Sequence, residues 1–296
     1  MTEFTLDLMK KIGFTEEEQE FVKDFSVKYR DNAVYLDLLD KFDKNLIINN
    51  DIDATLEKEA EKNEDSVYSL RLLFCLEAAE ASLPKYLAMG QTEEMFYRNM
   101  TDLKCKLGVC RDVYDVVGLS APMAWFDRFY FPSRFWLGRF QFEDSKFKFG
   151  DYEKDGVVVR EGDTVINVHI PEGLPLDEKV ALESYDLACE FYKEMYEKQG
   201  YLVFVCHSWL LFEDNPKILN PQSNIIKFMN QYEIIHTTPT DPFSDAWRIF
   251  GSISLNDYPH GLAENTSMQR AFKKWLCDGN KAGHSYGVRI HRKGDR

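Results

Sequence analysis

The sequence predicts an α+β protein. A helical N-terminal domain, residues 1–120, precedes a mixed, mostly antiparallel sheet flanked by helices, residues 121–296. Up to about Gly118, apolar residues recur every three or four positions, as in amphipathic helices. Beyond that point, alternating apolar and polar residues between turn-forming pairs indicate strands. One strand–helix–strand segment, residues 164–212, predicts a parallel pair within the sheet.

The helices of the first domain are predicted from one-sided apolar patterns. Between residues 16 and 29, for example, Phe21, Phe25 and Tyr29 follow one another at intervals of four and therefore share a helix face. Thr92 is a predicted N-cap because two acidic residues follow it in the first turn. The predicted helices are residues 16–29, 32–42, 65–83 and 92–107, and the third ends before Pro84.

The elements of the second domain are predicted from alternation and from turns. Residues 138–143 alternate strictly, with Phe140 and Phe142 on one face and polar residues on the other. Residues 201–212 are almost continuously apolar, which is typical of a strand covered on both faces. Asp177 is the predicted N-cap of the helix before that strand. The predicted strands are 138–143, 156–160, 164–170, 201–212, 232–236, 246–250 and 287–291; the predicted helices are 178–198, 223–231 and 267–277.

The charge composition excludes some partners. The chain of 296 residues has 50 acidic and 36 basic side chains, which argues against binding to a nucleic-acid backbone. Residues 1–120 hold 25 acidic and 15 basic residues, against 25 and 21 in the rest. The last 27 residues, up to Arg296, carry eight basic and two acidic side chains. The overall charge therefore does not exclude the binding of one small polyanion by the C-terminal half.

The compartment is predicted from apolar runs and cysteines. No apolar run approaches the roughly 20 residues of a membrane span, and residues 1–18 lack the apolar core of a signal peptide. Of the six cysteines, only Cys105 and Cys110 are close in sequence, and no second Cys/His pair lies nearby. We expect a soluble cytoplasmic protein with reduced thiols, no metal and no membrane partner.

The first candidate site is the crossover loop, residues 170–177, which joins the parallel strands through the following helix. A helix N-terminus at the carboxyl end of a sheet favours anions. Gly173 is the only glycine in this loop, and Asp177 would place a carboxylate near any phosphate. An ordinary strand-to-helix connection is the alternative.

His169 is the second candidate, at the end of the strand before the crossover loop. It shares a strand face with Asn167 because side chains alternate. An imidazole there can take a proton from an attacking amine near neutral pH. A structural histidine is the alternative.

Two further groups of residues are candidates. In the sequence Cys206–His207–Ser208, His207 lies on the opposite face from its neighbours, so it is badly placed to activate either of them. No Gly-x-Ser-x-Gly elbow is present, and Ser208 is expected to be a hydrogen-bond donor. The polar row Arg139, Gln141 and Glu143 is either a solvent face or one wall of a cleft, in which Glu143 is a possible base.

Five short motifs, in order over residues 137–271, resemble those of the bacterial acyltransferase-domain family. This family pairs a helical N-acyltransferase N-terminal domain with a GNAT-like C-terminal domain. The likeness extends to the helical half and so covers nearly the whole chain. The motifs are LGRFQFE at 137–143, HIP at 169–171, C-x-SWLL at 206–211, SNI at 223–225 and TSMQRA at 266–271.

The resemblance implies an acyltransferase that moves an acyl group from acetyl-CoA or a longer acyl-CoA to a small-molecule amine by direct attack. It implies that the crossover loop binds the pyrophosphate and that the strand ending at Ser208 splays from the one ending at His169. The usual Gln/Arg-x-x-Gly-x-Gly/Ala motif is missing from that loop. The residues it implies are His169, Glu143 and Ser208 for catalysis and Ile170, Gly173, Leu174 and Asn224 for the cofactor.

Two other functions are compatible with the sequence. A non-catalytic relative would bind a ligand or partner through a degenerate cofactor loop, as the missing glycines suggest. A hydrolase would use Cys206 or Ser208 as its nucleophile.

Overall fold

The computed structural model describes residues 1–295 and divides the chain after Trp136 into two compact units. Arg296, which we counted in the basic C-terminal segment, lies outside the described residues. Within residues 1–295, no helix combines the length and apolar character needed to cross a bilayer.

The first unit is helical, as predicted. Its central helix, α5, is almost entirely buried because eight of its twelve positions are apolar side chains or alanine. Thr15 caps α2 in a capping box with Glu18, and Thr92 caps α7. The helices are α1 (Glu3–Lys11), α2 (Glu16–Tyr29), α3 (Ala33–Asp43), α4 (Asn49–Lys62), α5 (Val67–Ala78), α6 (Leu83–Ala88), α7 (Glu93–Tyr114) and α8 (Met123–Tyr130).

The unit boundary differs from the predicted boundary at residue 120. Residues 121–136 lie in the first unit, because α8 is held there by buried contacts. The Tyr130 hydroxyl donates to the carbonyl of Cys75, and the Trp125 indole N–H donates to Asp102 at 2.8 Å. The buried aromatic side chains of α8, which are Phe126, Phe129 and Tyr130, therefore belong to the helical unit.

A mixed sheet with the strand order β1-β2-β5-β6-β8-β7 follows, and all of its strands except most of β1 lie in the second unit. Among the pairings described, β5 and β6 are parallel, and the pairs β2–β5, β6–β8 and β7–β8 are antiparallel. The predicted fold class is confirmed. The strands are β1 (Arg134–Leu137), β2 (Phe140–Lys146), β3 (Tyr152–Lys154), β4 (Val157–Val159), β5 (Thr164–His169), β6 (Leu202–Ser208), β7 (Glu233–Thr240) and β8 (Ala282–His291), and β3 and β4 form a separate hairpin.

Several of the predicted elements are corrected by the structure. The strand predicted at 201–212 ends at Ser208, and a 3-10 turn, Trp209–Leu211, follows it. Residues 246–250 form a helix rather than a strand, because Ala246, Ile249 and Phe250 are buried at the i, i+3, i+4 spacing of a helix. The helix predicted at 178–198 is interrupted at Tyr192. The helices of this unit are α9 (Glu178–Phe191), α10 (Lys193–Gln199), α11 (Asn215–Ile218), α12 (Asn224–Met229), α13 (Ala246–Phe250) and α14 (Ser267–Cys277).

The two faces of the sheet differ. On one face, Tyr185 of α9 packs against Phe140, Phe142 and Phe204, with ring centroids 4.9–6.3 Å apart. The other face carries an apolar cluster that includes Val165, Val205 and the β3–β4 hairpin. Beyond this cluster, towards the carboxyl ends of β5 and β6, the side chains of the same face become polar. The candidate site lies there.

Candidate active site

The parallel strands β5 and β6 are paired over only part of their length. Their register joins Ile166 to Phe204 and Asn167 to Val205. β5 continues to His169 and β6 to Ser208, beyond the described pairs. We call the space between these two strand ends the slot. Its walls are the last residues of β5 and β6, and the crossover loop begins at the end of the β5 wall.

The β5 wall holds a cluster of three polar side chains. The imidazole Nε2 of His169 lies 2.8 Å from Oε1 of Glu143, and the Asn167 amide donates to the same oxygen at 3.2 Å. The Asn167 amide nitrogen also lies 3.0 Å from Nε2. The shorter contact of Nε2 is with a carboxylate oxygen, which only accepts hydrogen bonds, so we assign the imidazole proton to Nε2. The Nδ1 atom of His169 then carries the basic lone pair. The Glu143 side chain is 9% exposed, which strengthens its attraction for an imidazolium.

The polar row on β2 is buried and is not a solvent face. Arg139 is 6% exposed, Gln141 0% and Glu143 7%. Gln141 is paired with His169 in the antiparallel register, and Glu143 with Asn167. Hydrogen bonds offset part of the cost of burying Glu143 and Arg139, because Glu143 accepts from β5 and Arg139 donates to the crossover loop. This burial contradicts a solvent face, and the wall of a cleft stays a prediction.

Arg139 anchors the crossover loop. Its Nε donates to the carbonyl of Pro175 and its Nη2 to the carbonyl of Leu174, both at 2.9 Å. Gly173 has φ of +85°, a conformation that favours glycine, and Leu174 is exposed. Asp177 caps α9 by accepting from the Lys179 amide at 2.9 Å. Arg139 therefore provides a charged anchor for a loop that lacks the usual glycine motif.

The resemblance predicts that the crossover loop binds acyl-CoA. On that prediction, replacing Arg139 with methionine should weaken acyl-CoA binding about tenfold, roughly the free energy of one charged hydrogen bond. The substitution keeps the length of the side chain but removes both bonds to the loop carbonyls. Isothermal titration calorimetry with decanoyl-CoA measures the effect. Arg270→Met is the matched control, because the exposed Arg270 also donates to backbone carbonyls, those of Glu264 and Asn265. An unchanged Kd for Arg139→Met would show that the anchor does not shape the binding loop.

Ser208 and Cys206 lie on the α9 face of the sheet, opposite to His169. The Ser208 hydroxyl accepts from the Leu210 amide at 3.2 Å and so caps a short 3-10 turn. Cys206 is 1% exposed, and burial raises its pKa to about 12. Its thiol is therefore protonated at neutral pH and is a poor nucleophile. The geometry does not bring Ser208 to the His169 cluster.

The predicted cofactor residues are only partly brought together. Ile170, Gly173 and Leu174 all lie in the crossover loop. Asn224 is exposed at the first position of α12, after the N-cap Ser223. In the part of the chain that the structure describes, no hydrogen bond joins Asn224 to the crossover loop. In the same residues, no group of three or more His, Cys, Asp or Glu side chains is placed to hold a metal ion.

A second polar group, which sequence reasoning missed, lies beside the β6 wall. His207 has its ring centroid 5.3 Å from that of His284, and Nε2 of His284 contacts Oδ2 of Asp245. Arg248 joins Asp245 to Glu172 of the crossover loop. His284 and Tyr286 alternate along β8 and face His207 across the β6–β8 pair. That alternation was the available signal, but the predicted strand began only at residue 287.

Comparison with known proteins agrees with this organisation. Residues 3–130 match the N-acyltransferase N-terminal domain, and residues 135–289 match the GNAT-like C-terminal domain. No curated protein matches the chain. Both domains of the predicted resemblance are thus confirmed.

Solved acyltransferase structures share the fold at low sequence identity. A mutant acyltransferase in complex with octanoyl-CoA has a TM-score of 0.72 and 19% identity, over 97% of this chain and 88% of its own. An acyltransferase in complex with decanoyl-CoA and teicoplanin has a TM-score of 0.69 and 19% identity, over 98% of this chain and 88% of its own. The GNAT-like match spans more than half of the sequence. The chain therefore belongs to the GNAT-like C-terminal domain family, with an N-acyltransferase N-terminal domain before it.

Proposed function

We propose that this protein transfers an acyl group from acyl-CoA to an amine. The observation that carries the proposal is the His169–Glu143 contact at the mouth of the slot, where the parallel pairing of β5 and β6 ends. A base next to an opening between two strands suits a reaction in which a thioester and an amine meet there. Solved proteins of this fold bind octanoyl-CoA and decanoyl-CoA, which supports an acyl-CoA as the donor.

In the proposed reaction, His169 is the base. Its Nδ1 atom takes a proton from the amine while the amine nitrogen attacks the thioester carbonyl. The C–N bond forms, the C–S bond breaks, and the electron pair of that bond stays on sulfur. Glu143 holds the imidazole by its Nε2–H and stabilises the imidazolium that forms. Holding the two substrates side by side supplies much of the rate.

The crossover loop is the proposed site of the phosphates of CoA. Ile170, Gly173 and Leu174 would present backbone amides near the N-terminus of α9. Arg139 fixes this loop through two of its carbonyls. Asn224 is a proposed cofactor contact from the start of α12. The mechanism makes no use of Ser208, because its hydroxyl caps the turn after β6.

The proposal also concerns the chemical class of the acyl acceptor. Two of the solved structures with this fold are complexes that include teicoplanin or 10C-Teicoplanin. For this chain we propose a small-molecule amine, and the net charge of −14 favours a cationic one by long-range attraction. The cytoplasmic location and the absence of nucleic-acid and membrane partners stay predictions.

Acyl-CoA should raise the melting temperature. At a concentration one hundred times Kd, a ligand stabilises the folded state by about 2.7 kcal/mol, which is roughly 5–10 °C for a unit of this size. Thermal shift with acetyl-, octanoyl- and decanoyl-CoA, with the matching free fatty acids as controls, tests binding. The release of CoA in the presence of an amine panel, followed with a thiol reagent, tests turnover.

The outcomes separate the candidate functions. Stabilisation with amine-dependent CoA release supports the transferase. Stabilisation without turnover supports the non-catalytic ligand-binding relative, which the single loop glycine favours. CoA release that needs no amine, and that is lost on replacing Cys206 or Ser208, would support the hydrolase. No stabilisation across the chain-length panel would contradict both acyl-CoA proposals.

A further inference from the structure

His207 lies on the same face of the sheet as His169. Gln141 is paired with His169, and His207 with Tyr286, in the antiparallel registers. Asn167 is paired with Val205 in the parallel register, so the next residues on this face, His169 and His207, stand at the same level on neighbouring strands. The two imidazoles therefore belong to opposite walls of the slot.

His207 is accessible on its wall. It is exposed, whereas the residues before it in β6, from Leu202 to Cys206, are all buried. Strands lie about 4.8 Å apart where they are paired. The strand ends that carry His169 and His207 lie beyond the described pairs.

The surroundings of His207 lower the pKa of its imidazole, which favours the neutral form. Partial loss of hydration is the largest cause, and the nearby His284, Lys148 and His236 lower the pKa further, against the opposing charge of Asp245. A neutral imidazole has one N–H donor and one acceptor nitrogen. It therefore offers a hydrogen bond without bringing a positive charge that would repel a cationic amine.

We propose that His207 donates a hydrogen bond to the sulfur of the acyl-CoA as the thiolate leaves, a role that rests on the proposed acyltransferase function. In this step the amine nitrogen has bonded to the carbonyl carbon and its proton has gone to His169. The C–S bond then breaks, its electron pair goes to sulfur, and the thiolate departs hydrogen-bonded to the N–H of His207. Water protonates the released thiolate. The base and the leaving-group donor thus stand on facing strands.

The test compares His207→Leu, which lacks a donor, with His207→Gln, which keeps an N–H. With decanoyl-CoA and a surrogate amine such as hydroxylamine, His207→Leu should lower kcat about 10- to 100-fold, the usual loss for a hydrogen bond to a charged group. His207→Gln should recover part of this loss. The Kd of decanoyl-CoA should not change in either variant. With the decanoyl thioester of thiophenol, whose thiolate is a better leaving group, the loss in kcat/KM should shrink towards twofold.

The outcomes distinguish this inference from the function on which it rests. If the wild-type protein releases no CoA, the acyltransferase function fails and the role of His207 fails with it. If the wild type turns over and His207→Leu keeps its kcat, only the role of His207 is overturned. An equal loss with both thioesters, or a loss that glutamine does not recover, would also overturn it, since it would mean that the histidine is structural. Stabilisation of both variants by decanoyl-CoA shows that they are folded.

Discussion

Replacing His169 with glutamine is expected to lower kcat by about 10²-fold or more, the usual contribution of a positioned general base. Glutamine fills similar space and can still bond to Glu143, but it cannot accept the amine proton at neutral pH. The Kd of decanoyl-CoA should stay the same, because the change removes proton transfer and leaves the crossover loop intact. Steady-state kinetics of CoA release and titration calorimetry measure the two quantities separately.

Two variants serve as controls for His169→Gln. Glu143→Gln should give a smaller loss of kcat, because the imidazole keeps a hydrogen-bond partner at 2.8 Å but loses the charge that stabilises the imidazolium. His260→Gln, at an exposed loop position that contacts Cys277, should behave as the wild type. If His169→Gln keeps its kcat, the base is Glu143 or water, and our assignment of His169 is wrong.

The replacement of Arg71 with leucine is expected to lower the free energy of unfolding by about 3–5 kcal/mol, the usual cost of removing one partner of a buried ion pair. Arg71 is 4% exposed. Its Nε donates to Asp53 at 2.9 Å and its Nη1 to the carbonyl of Leu119 at 2.8 Å. Without the arginine, the carboxylate of Asp53 is left with the backbone amide of Met123, at 3.0 Å, as its remaining described donor.

Urea denaturation of the single and double variants tests this ion pair. The double variant Asp53→Leu/Arg71→Leu should regain part of the stability, because it leaves no uncompensated charge buried. A surface pair such as Lys41 and Asp37 is the comparison, and Lys41→Leu should change the free energy of unfolding by less than about 1 kcal/mol. If Arg71→Leu lowers the free energy of unfolding by less than about 1 kcal/mol, the carboxylate of Asp53 must gain a new hydrogen-bond partner or contact with solvent.

The sequence was most informative where local rules decide the structure. Thr92 at the start of α7 and Asp177 at the start of α9 are N-caps in the structure, as predicted, because a short side chain satisfies the first amides of a helix whatever its surroundings. The alternation at 138–143 likewise predicted β2 and its two faces. Local patterns were misleading at residues 246–250, where five residues are too few to separate a helix from a strand by periodicity.

The site could be predicted only in part. His169 and Glu143 were both named as candidates, but their contact depends on the antiparallel register of β2 and β5, which neither strand specifies alone. His207 was excluded as a base for Cys206 and Ser208 by alternation. The same alternation places it beside His284, 77 residues further along the chain, and only the β6–β8 pairing reveals this. The pairing of distant strands decides which of these side chains meet, and local sequence patterns do not specify that pairing.

Strand β2 begins just after Arg139 and contains Glu143, and this links the two ends of the proposed donor site. Arg139 holds the loop that would receive the phosphates, and Glu143, four residues later, holds the imidazole at the reacting end. Only three residues separate these two points along the chain. Binding energy from the nucleotide end of CoA can therefore help to align the reacting groups. A donor shortened to acyl-pantetheine should lose reaction rate as well as binding affinity.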